Sequence, residues 1–180
     1  MNPLSQTTIL DKIKQRLPQS YKRALRPYLP RTVPSWIKAF QNRKDFGEVE
    51  TYCMFIGYPR SGHSLLGQLL NAHRHAVIAH EEHVLHDLWR GYTERLIFSF
   101  ILERDREFAD AYDRTWTGYD YSIPNSHQGA YTRLKVIGDK RGSDSTRTLS
   151  EHPEIFRSLI KMTEGLKLKV IHHVRNPYDN

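Results

Sequence analysis

The stretch from residue 51 to residue 73 reads TYCMFIGYPRSGHSLLGQLLNAH, in which an apolar run, a glycine-bounded turn and a leucine-rich segment follow one another directly. The run TYCMFI is β-rich and stops at Gly57, which is typical of a buried strand. From Ser61 onward the leucines recur at helical spacing, and Ser61 is the predicted N-cap of that helix. A buried strand that passes straight into a helix restricts the chain to folds in which strands and helices alternate.

The same alternation continues through the rest of the chain. Further strands are predicted at 76–79, 133–138 and 168–174, and mainly helical segments at 83–112 and 151–165. The helix 151–165 is predicted to have Ser150 as its N-cap and to end at Gly165. The aromatic, turn-rich segment 115–131 is predicted to be a loop. This order implies an α/β fold with a parallel sheet that is flanked by helices on both faces.

Charge divides the chain into two parts. Residues 1–50 hold ten Lys and Arg against four Asp and Glu, whereas residues 51–180 are nearly balanced. We therefore predict a basic, proline-containing N-terminal arm over 1–50 and one α/β domain over 51–180. The arm carries a tryptophan and is suited to peripheral contact with an anionic membrane; a solvated leader is the plainer alternative. No nucleic-acid-binding motif accompanies the basic residues, so nucleic acid is not an expected partner.

The composition also bears on the compartment. The longest apolar run, LIFSFIL at 96–102, is far shorter than the roughly 20 residues that span a bilayer. Charges interrupt the N-terminal stretch TTILDKIKQRL, which therefore lacks the apolar core of a signal peptide. Cys53 is the single cysteine, so an internal disulfide is excluded and no oxidising compartment is required. A cytoplasmic location is the default expectation.

The turn GYPRSGHS, residues 57–64, has the Gly-x-x-x-x-Gly-x-Ser spacing of a phosphate-binding loop. Backbone N–H groups of such a loop and the N-terminus of the following helix together favour an anion. The lysine that a nucleoside triphosphate needs beside the second glycine is replaced by His63, whose neutral imidazole supplies no fixed charge. The fixed cation is Arg60, and no clear acidic strand end offers a magnesium ligand. These features favour a sulfuryl donor, and the glycine spacing alone keeps a nucleotide kinase or NTPase as the alternative.

Two segments carry a resemblance to a known family. GYPRSGHSLLGQLLNAH resembles the 5′-phosphosulfate-binding loop of sulfotransferases, and IHHVRNPYDN resembles their 3′-phosphate-binding segment. The likeness covers residues 52–82 and 168–180. It implies a P-loop NTPase-like three-layer α/β sandwich. It also implies sulfuryl transfer from 3′-phosphoadenosine 5′-phosphosulfate (PAPS), without a metal, to an unidentified hydroxyl or amine acceptor such as a carbohydrate, a phenol or a small alcohol.

The resemblance also implies roles for individual residues. Arg60 would hold the 5′-phosphate and the sulfuryl oxygens, and Arg175 would bind the 3′-phosphate. Glu81, with Glu82 as second choice, would be the catalytic base. The other cofactor contacts would come from the loop residues Pro59, Ser61, Gly62, His63 and Ser64. A further phosphate-binding serine of the family would fall beyond Asn180, so the domain is expected to be truncated at its C-terminus.

Several alternatives stay open. Glu81 is equally suited to be a carboxylate in the first turn of a helix, stabilised by the helix dipole. Asp139 and Lys140, which follow the third predicted strand, are placed either at the ligand or, as the preferred interpretation, in a surface turn. A non-catalytic fragment that binds a nucleotide or a partner is a further alternative. A metal site is not predicted, because HEEH is not HExxH; the histidines concerned are His80, His83 and His86.

Overall fold

A computed structural model describes residues 33–176 and 178 of the chain. These residues belong almost entirely to one compact unit, Pro34–Asn180. Its helices are α1 (Val33–Gln41), α2 (Arg43–Phe46), α3 (His63–Asn71), α4 (Val84–Trp89), α5 (Glu94–Tyr112), α6 (Gly142–Glu151) and α7 (Ile155–Met162). Its strands are β1 (Thr51–Ile56), β2 (Ala76–His80), β3 (Thr115–Trp116), β4 (Tyr119–Asp120), β5 (Val136–Lys140) and β6 (Lys167–His172). Most of the predicted arm, residues 1–32, lies outside the described residues.

A four-stranded parallel sheet forms the centre of the unit, in the order β2-β5-β1-β6. The register pairs Cys53 of β1 with Gly138 of β5 on one side and with Lys169 of β6 on the other. A side chain at position 138 would not fit, because a Cβ atom there would lie 2.2 Å from the carbonyl oxygen of Cys53. Since all four strands run the same way, their carboxyl ends share one edge of the sheet. The predicted α/β fold with a helix-flanked parallel sheet is confirmed.

The two faces of β1 explain why helices cover both sides of the sheet. Tyr52 and Met54 belong to one core cluster, and Cys53 and Phe55 belong to another, as the two-residue period of a strand requires. The first cluster includes apolar residues of α5, and the second packs against leucines of α3. Phe55 is fully buried, so its truncation to alanine would cost about 3–5 kcal/mol of stability.

The start of α3 differs from the prediction. Its N-cap residue is Gly62 and not Ser61, and no side chain caps the helix. Gly62 has a φ of 94°, in the left-handed region that glycine adopts without a steric penalty. The Ser61 hydroxyl is instead hydrogen-bonded to Nδ1 of His63, at 2.9 Å. The helix therefore begins at the loop without a side-chain cap, which leaves its N-terminal dipole directed at the loop.

The segment after β5 contains a helix that the sequence did not predict. The residues of α6, GSDSTRTLSE, are almost all polar and lack apolar periodicity. Ser150 lies inside α6, so its assignment as the N-cap of a helix 151–165 is wrong. Pro153 separates α6 from α7, because proline disfavours a helical conformation at the residue before it. The third predicted strand also starts later, at Val136, where pairing with β1 and β2 begins.

The aromatic segment 115–131 is irregular apart from the short hairpin β3–β4, as predicted. A buried polar network fastens it to the domain. The Arg114 guanidinium donates to Oδ1 of Asp105 and to Oε1 of Gln68, both at 3.1 Å. Nε2 of Gln128 donates to the same Gln68 oxygen at 2.9 Å. The segment is therefore tied to α3 and α5 by hydrogen bonds.

The longest described helix, α5, has 19 residues and changes character along its length. Its first half buries the apolar run 96–102, and its second half carries the buried charges of Arg104 and Asp105. Among the helices that the structure describes, none combines the length and the apolar character needed to cross a membrane.

Candidate functional site

The loop between β1 and α3 lies at the carboxyl edge of the sheet, where open α/β folds bind their ligands. Arg60 lies in this loop with a φ of 64°, although the left-handed region costs a residue with a side chain about 1–2 kcal/mol. Its side chain is exposed and makes no ion pair with the residues that the structure describes. Strained backbone of this kind is concentrated at binding and catalytic sites.

The segment after β6 lies against the same loop. Ile56, the last residue of β1, is paired with His172 in β6. A Cβ atom on Gly62 would lie 3.1 Å from Cε1 of His173, so the two segments are in contact. Arg175 follows two residues later; it is exposed and, within the described part of the chain, has no ion-pair partner. The two segments predicted to bind the two phosphates are therefore neighbours at one edge of the sheet.

A further cation reaches the loop from β5. Nζ of Lys140 donates hydrogen bonds to Oγ of Ser64 at 2.9 Å and to Oε1 of Glu81 at 3.1 Å. Lys140 is fully buried, whereas the Glu81 side chain is 27% exposed. The three residues come from the end of β5, the first turn of α3 and the end of β2, which the parallel sheet brings together. The cluster can stabilise an anion through the ammonium group and accept a proton through the carboxylate.

Gly67 makes room for Lys140. A Cβ atom at position 67 would lie 2.7 Å from Cγ of Lys140 and 3.0 Å from its Cβ. Glycine inside a helix costs about 1 kcal/mol relative to alanine, so α3 gives up stability to admit this side chain. The surface turn preferred for Asp139 and Lys140 is wrong, because these residues are 4% and 0% exposed. A glycine within the leucine-rich run of α3 is the sequence feature that could have indicated the close approach.

Glu81, the predicted base, follows β2 directly and also has a left-handed backbone, with a φ of 58°. Burial alone would raise the pKa of Glu81. The charge and hydrogen bond of Lys140, together with the charges of Arg141 and Arg104, outweigh burial and bring the pKa below its ordinary value. A guanidinium N–H of Arg141 also donates to the Glu81 carbonyl oxygen at 3.3 Å. At neutral pH Glu81 is therefore a carboxylate, the form that accepts a proton.

Glu82, the second choice for the base, is fully buried beneath the sheet edge. Its backbone N–H donates to Oδ1 of Asp139 at 2.8 Å. Burial, reinforced by the charge of Glu82, raises the pKa of Asp139 well above its ordinary range. Asp139 is buried and accepts this hydrogen bond, so it holds the turn after β2 in place. Of the two glutamates, Glu81 is the one that solvent and a substrate can reach.

His63 is nearly buried, and its packing contacts stabilise the conformation of the loop. Burial, with the positive charge of Lys140, lowers the pKa of His63 to about 4, so its imidazole is neutral at pH 7, as predicted. A Cβ atom on Gly142 would lie 3.4 Å from Nδ1 of His63, so the imidazole packs at the start of α6. The first amide of the loop, on Gly57, donates to Oγ1 of Thr146 at 2.8 Å. The hydrogen-bond donors that are still available to bind an anion therefore lie later in the loop, near Arg60 and the start of α3.

The other predicted loop contacts differ in accessibility. Pro59 and Gly62 are exposed, and proline has no N–H group to offer. Ser61 is 6% exposed and already bonded to His63, so it supports the loop. Ser64 is partly buried and joins the loop to Lys140.

In the histidine-rich stretch, His80 is buried, whereas His83 and His86 are partly exposed. No group of three or more His, Cys, Asp and Glu side chains within residues 33–176 is arranged to hold a metal ion. His80 is fully buried and stacks on Phe108, with ring centroids 4.1 Å apart and planes inclined by 7°. Trp116 and Tyr121 also lie against it. Burial, followed by the charge of Lys140, lowers the pKa of His80 to about 2, so this ring is neutral at pH 7 where it packs against the aromatic segment.

Comparison of the chain with protein-family models, with curated proteins and with solved structures found no match. The candidate site lies at the carboxyl edge of the sheet. Its main parts are the strained, exposed Arg60, the buried pair of Lys140 and Glu81, and the neighbouring segment that carries Arg175.

Proposed function

We propose that the protein is a sulfotransferase that uses PAPS as donor and has a P-loop NTPase-like fold. The observation that carries the proposal is the contact of Lys140 with both Ser64 and Glu81, beside a loop that presents Arg60. The cations Arg60 and Lys140 and the Glu81 carboxylate, whose pKa is lowered, then lie beside the N-terminus of α3. The N-terminus of a helix favours a bound anion. Arg175, on the segment that contacts the loop, is suited to the 3′-phosphate.

The reaction needs one bond to form and one to break. The acceptor oxygen or nitrogen attacks the sulfur atom, and the bond from sulfur to the bridging oxygen of the 5′-phosphate breaks. The electron pair of that bond stays on the phosphate, which leaves as part of adenosine 3′,5′-bisphosphate. Glu81 takes the acceptor proton. Arg60 and Lys140 stabilise the negative charge that develops on the sulfuryl and bridging oxygens.

Calorimetric titration with adenosine 3′,5′-bisphosphate, the product of the donor, tests the nucleotide part of the proposal. We expect binding without magnesium. Loss of one charge-assisted contact, worth about 1.5–3 kcal/mol, should weaken binding by roughly 10- to 150-fold in Arg60→Ala. Arg106→Ala is the matched control, because Arg106 is an exposed arginine on α5. Equal affinity of wild type and Arg60→Ala would contradict the assignment of the loop.

A magnesium–nucleoside triphosphate is the second candidate ligand, and one observation favours it. Lys140 supplies at Ser64 the ammonium group that the loop lacks in its own sequence. Against it, the Asp139 carboxyl near the end of β5 is buried and already accepts the Glu82 N–H through Oδ1. Titration with ATP and magnesium in the same calorimeter separates the two candidates, because a kinase or NTPase requires the metal and the sulfotransferase does not.

A further inference from the structure

The last strand in the described part of the chain, β6, lies at one end of the four-stranded sheet. Within the described part of the chain, β6 pairs with β1 alone and stands at the end of the strand order. It spans six residues, all of them exposed or partly exposed. An edge of this length presents unpaired backbone N–H and C=O groups that can pair with another extended chain.

An open apolar groove runs beside this edge, between α7 and β6. Its volume is about 420 Å³, within the range of about 300–1,000 Å³ that ligand-binding clefts have. Ile160 and Leu168 line it. Ile160 and Val170 are both 48% exposed, and Phe156 of α7 is 46% exposed. The apolar surface suits side chains that project from a strand laid along the edge.

The surroundings of the groove are basic. Arg157 and Lys161 line it together with one acidic residue, Glu164. Lys167 and Lys169 are exposed on β6 itself. None of the four cations has an ion-pair partner among the residues that the structure describes. The four cations outnumber the nearby carboxylates of Glu164 and Glu50, so the charge at this edge is net positive.

The lysines of β6 also argue against pairing of two copies of this chain. Lys167 and Lys169 lie on one face of the strand, because residues two apart share a face. If two β6 strands paired in antiparallel fashion, lysines would lie opposite or diagonal to lysines, which is destabilising. If an acidic strand pairs with β6, opposite charges meet at these positions, which is stabilising. Nucleic acid offers charge but no backbone that matches a strand edge.

We propose that the β6 edge binds an extended acidic peptide segment of another protein by adding a strand to the sheet. The segment alternates acidic residues, which face Lys167 and Lys169, with apolar residues, which enter the groove beside Leu168 and Val170. The groove lies beside Leu168 in the first part of β6, whereas the loop that carries Arg60 adjoins the end of the strand at His172. Main-chain hydrogen bonds provide affinity in this mode of recognition, and alternate side chains provide specificity.

A labelled octapeptide of alternating Glu and Val, blocked at both ends, is the probe. Fluorescence anisotropy measures its binding to the full chain, and hydrogen exchange measures protection of the amides of residues 167–172. We expect saturable binding with protection of these amides. Binding should weaken by tenfold or more in Lys167→Glu/Lys169→Glu. The charge-matched control Arg95→Glu/Arg106→Glu alters exposed arginines of α5, which packs on β2 and β5, and should bind as wild type.

Four further measurements can overturn the proposal whatever the stability of the variants. The same peptide with alternate backbone nitrogens methylated keeps its charge but cannot complete a strand ladder, and its undiminished binding would refute strand addition. Equal binding of an alternating Lys and Val peptide would refute the charge argument. Equal binding of a single-stranded oligonucleotide, or a wild-type dimer in sedimentation that excludes the acidic peptide, would assign the edge to another partner.

Discussion

Removing the negative partner of the buried Lys140–Glu81 pair should cost more stability than removing the positive one. In Glu81→Gln a fully buried ammonium group loses its ion-pair partner and keeps neutral hydrogen-bond acceptors, the Ser64 hydroxyl and the amide oxygen of the new glutamine. Desolvation then favours the neutral amine. The cost at pH 7 cannot exceed that of deprotonating the lysine, which is about 4.6 kcal/mol for a reference pKa of about 10.4. We expect a loss of about 3–4 kcal/mol, close to the value for broken buried pairs.

The opposite change is milder because Glu81 is 27% exposed. In Lys140→Met the apolar stem is retained, and water can reach the carboxylate, so we expect a loss of about 1–2 kcal/mol. The double variant Glu81→Gln/Lys140→Met removes both charges. It should therefore be more stable than Glu81→Gln by about 2 kcal/mol, because no isolated charge remains buried.

Urea unfolding at several pH values measures these differences. Burial already lowers the pKa of Lys140, opposed by Glu81, and Glu81→Gln should lower it further. The unfolded chain then binds more protons than the folded one, so stability rises with pH, by up to about 1.4 kcal/mol per unit between the folded pKa and about 10.4. The rise should be steep in Glu81→Gln and absent in the double variant. Equal costs for the two single variants, or a flat profile in Glu81→Gln, would refute the buried pair.

Three other substitutions test the architecture around the site. His80 stays neutral in the folded protein, whereas in the unfolded chain it takes up a proton as the pH falls from 7 to 5, which should cost the wild type about 2 kcal/mol of stability. His80→Phe lacks this group, so urea titrations at the two pH values should show a loss smaller by that amount. An equal loss in the two proteins would mean that the ring is hydrated. Gly67→Ala should displace Lys140 and weaken the binding of adenosine 3′,5′-bisphosphate, measured by calorimetry, about tenfold. The far-ultraviolet circular dichroism should remain that of a helical protein. Unchanged affinity would show that Lys140 does not contact the nucleotide. Arg114→Met should destabilise the fold by about 3–5 kcal/mol in thermal unfolding, since the Asp105 side chain is 1% exposed, and a loss under 1 kcal/mol would contradict the network.

The sheet could be predicted from the sequence because its strands are local apolar runs. The segments that became β1, β2 and β6 are compact and bounded by turn residues, which is the pattern that local reasoning detects. α6 escaped prediction because its residues are polar and its helical conformation has no apolar stripe to mark it. For polar segments of this kind, periodicity carries no information about structure.

The site was less predictable because its central contact is not local. Lys140 and Glu81 are 59 residues apart, and nothing in the sequence around either residue reveals the partner. A lysine after a strand is usually exposed, so a surface turn was the reasonable preference for Lys140. Only the sheet order, which places β5 between β1 and β2, brings the ammonium group to the loop. Arg60 and Glu81 could be named because they lie in local motifs, and their left-handed backbone is a property that only coordinates reveal.

The position of Lys140 also has a consequence for the proposed chemistry. One ammonium group contacts Ser64, at the loop, and Glu81, the proposed base. An anion bound at the loop competes with Glu81 for the same positive charge, and this weakens the interaction that lowers the Glu81 pKa. Under the proposed mechanism, Glu81 would then be a stronger base only when the donor is bound. A loop lysine, as in nucleoside-triphosphate sites, would not be tied to the base in this way. In the proposed sulfotransferase, a strand-end lysine in place of a loop lysine would therefore couple donor binding to proton acceptance.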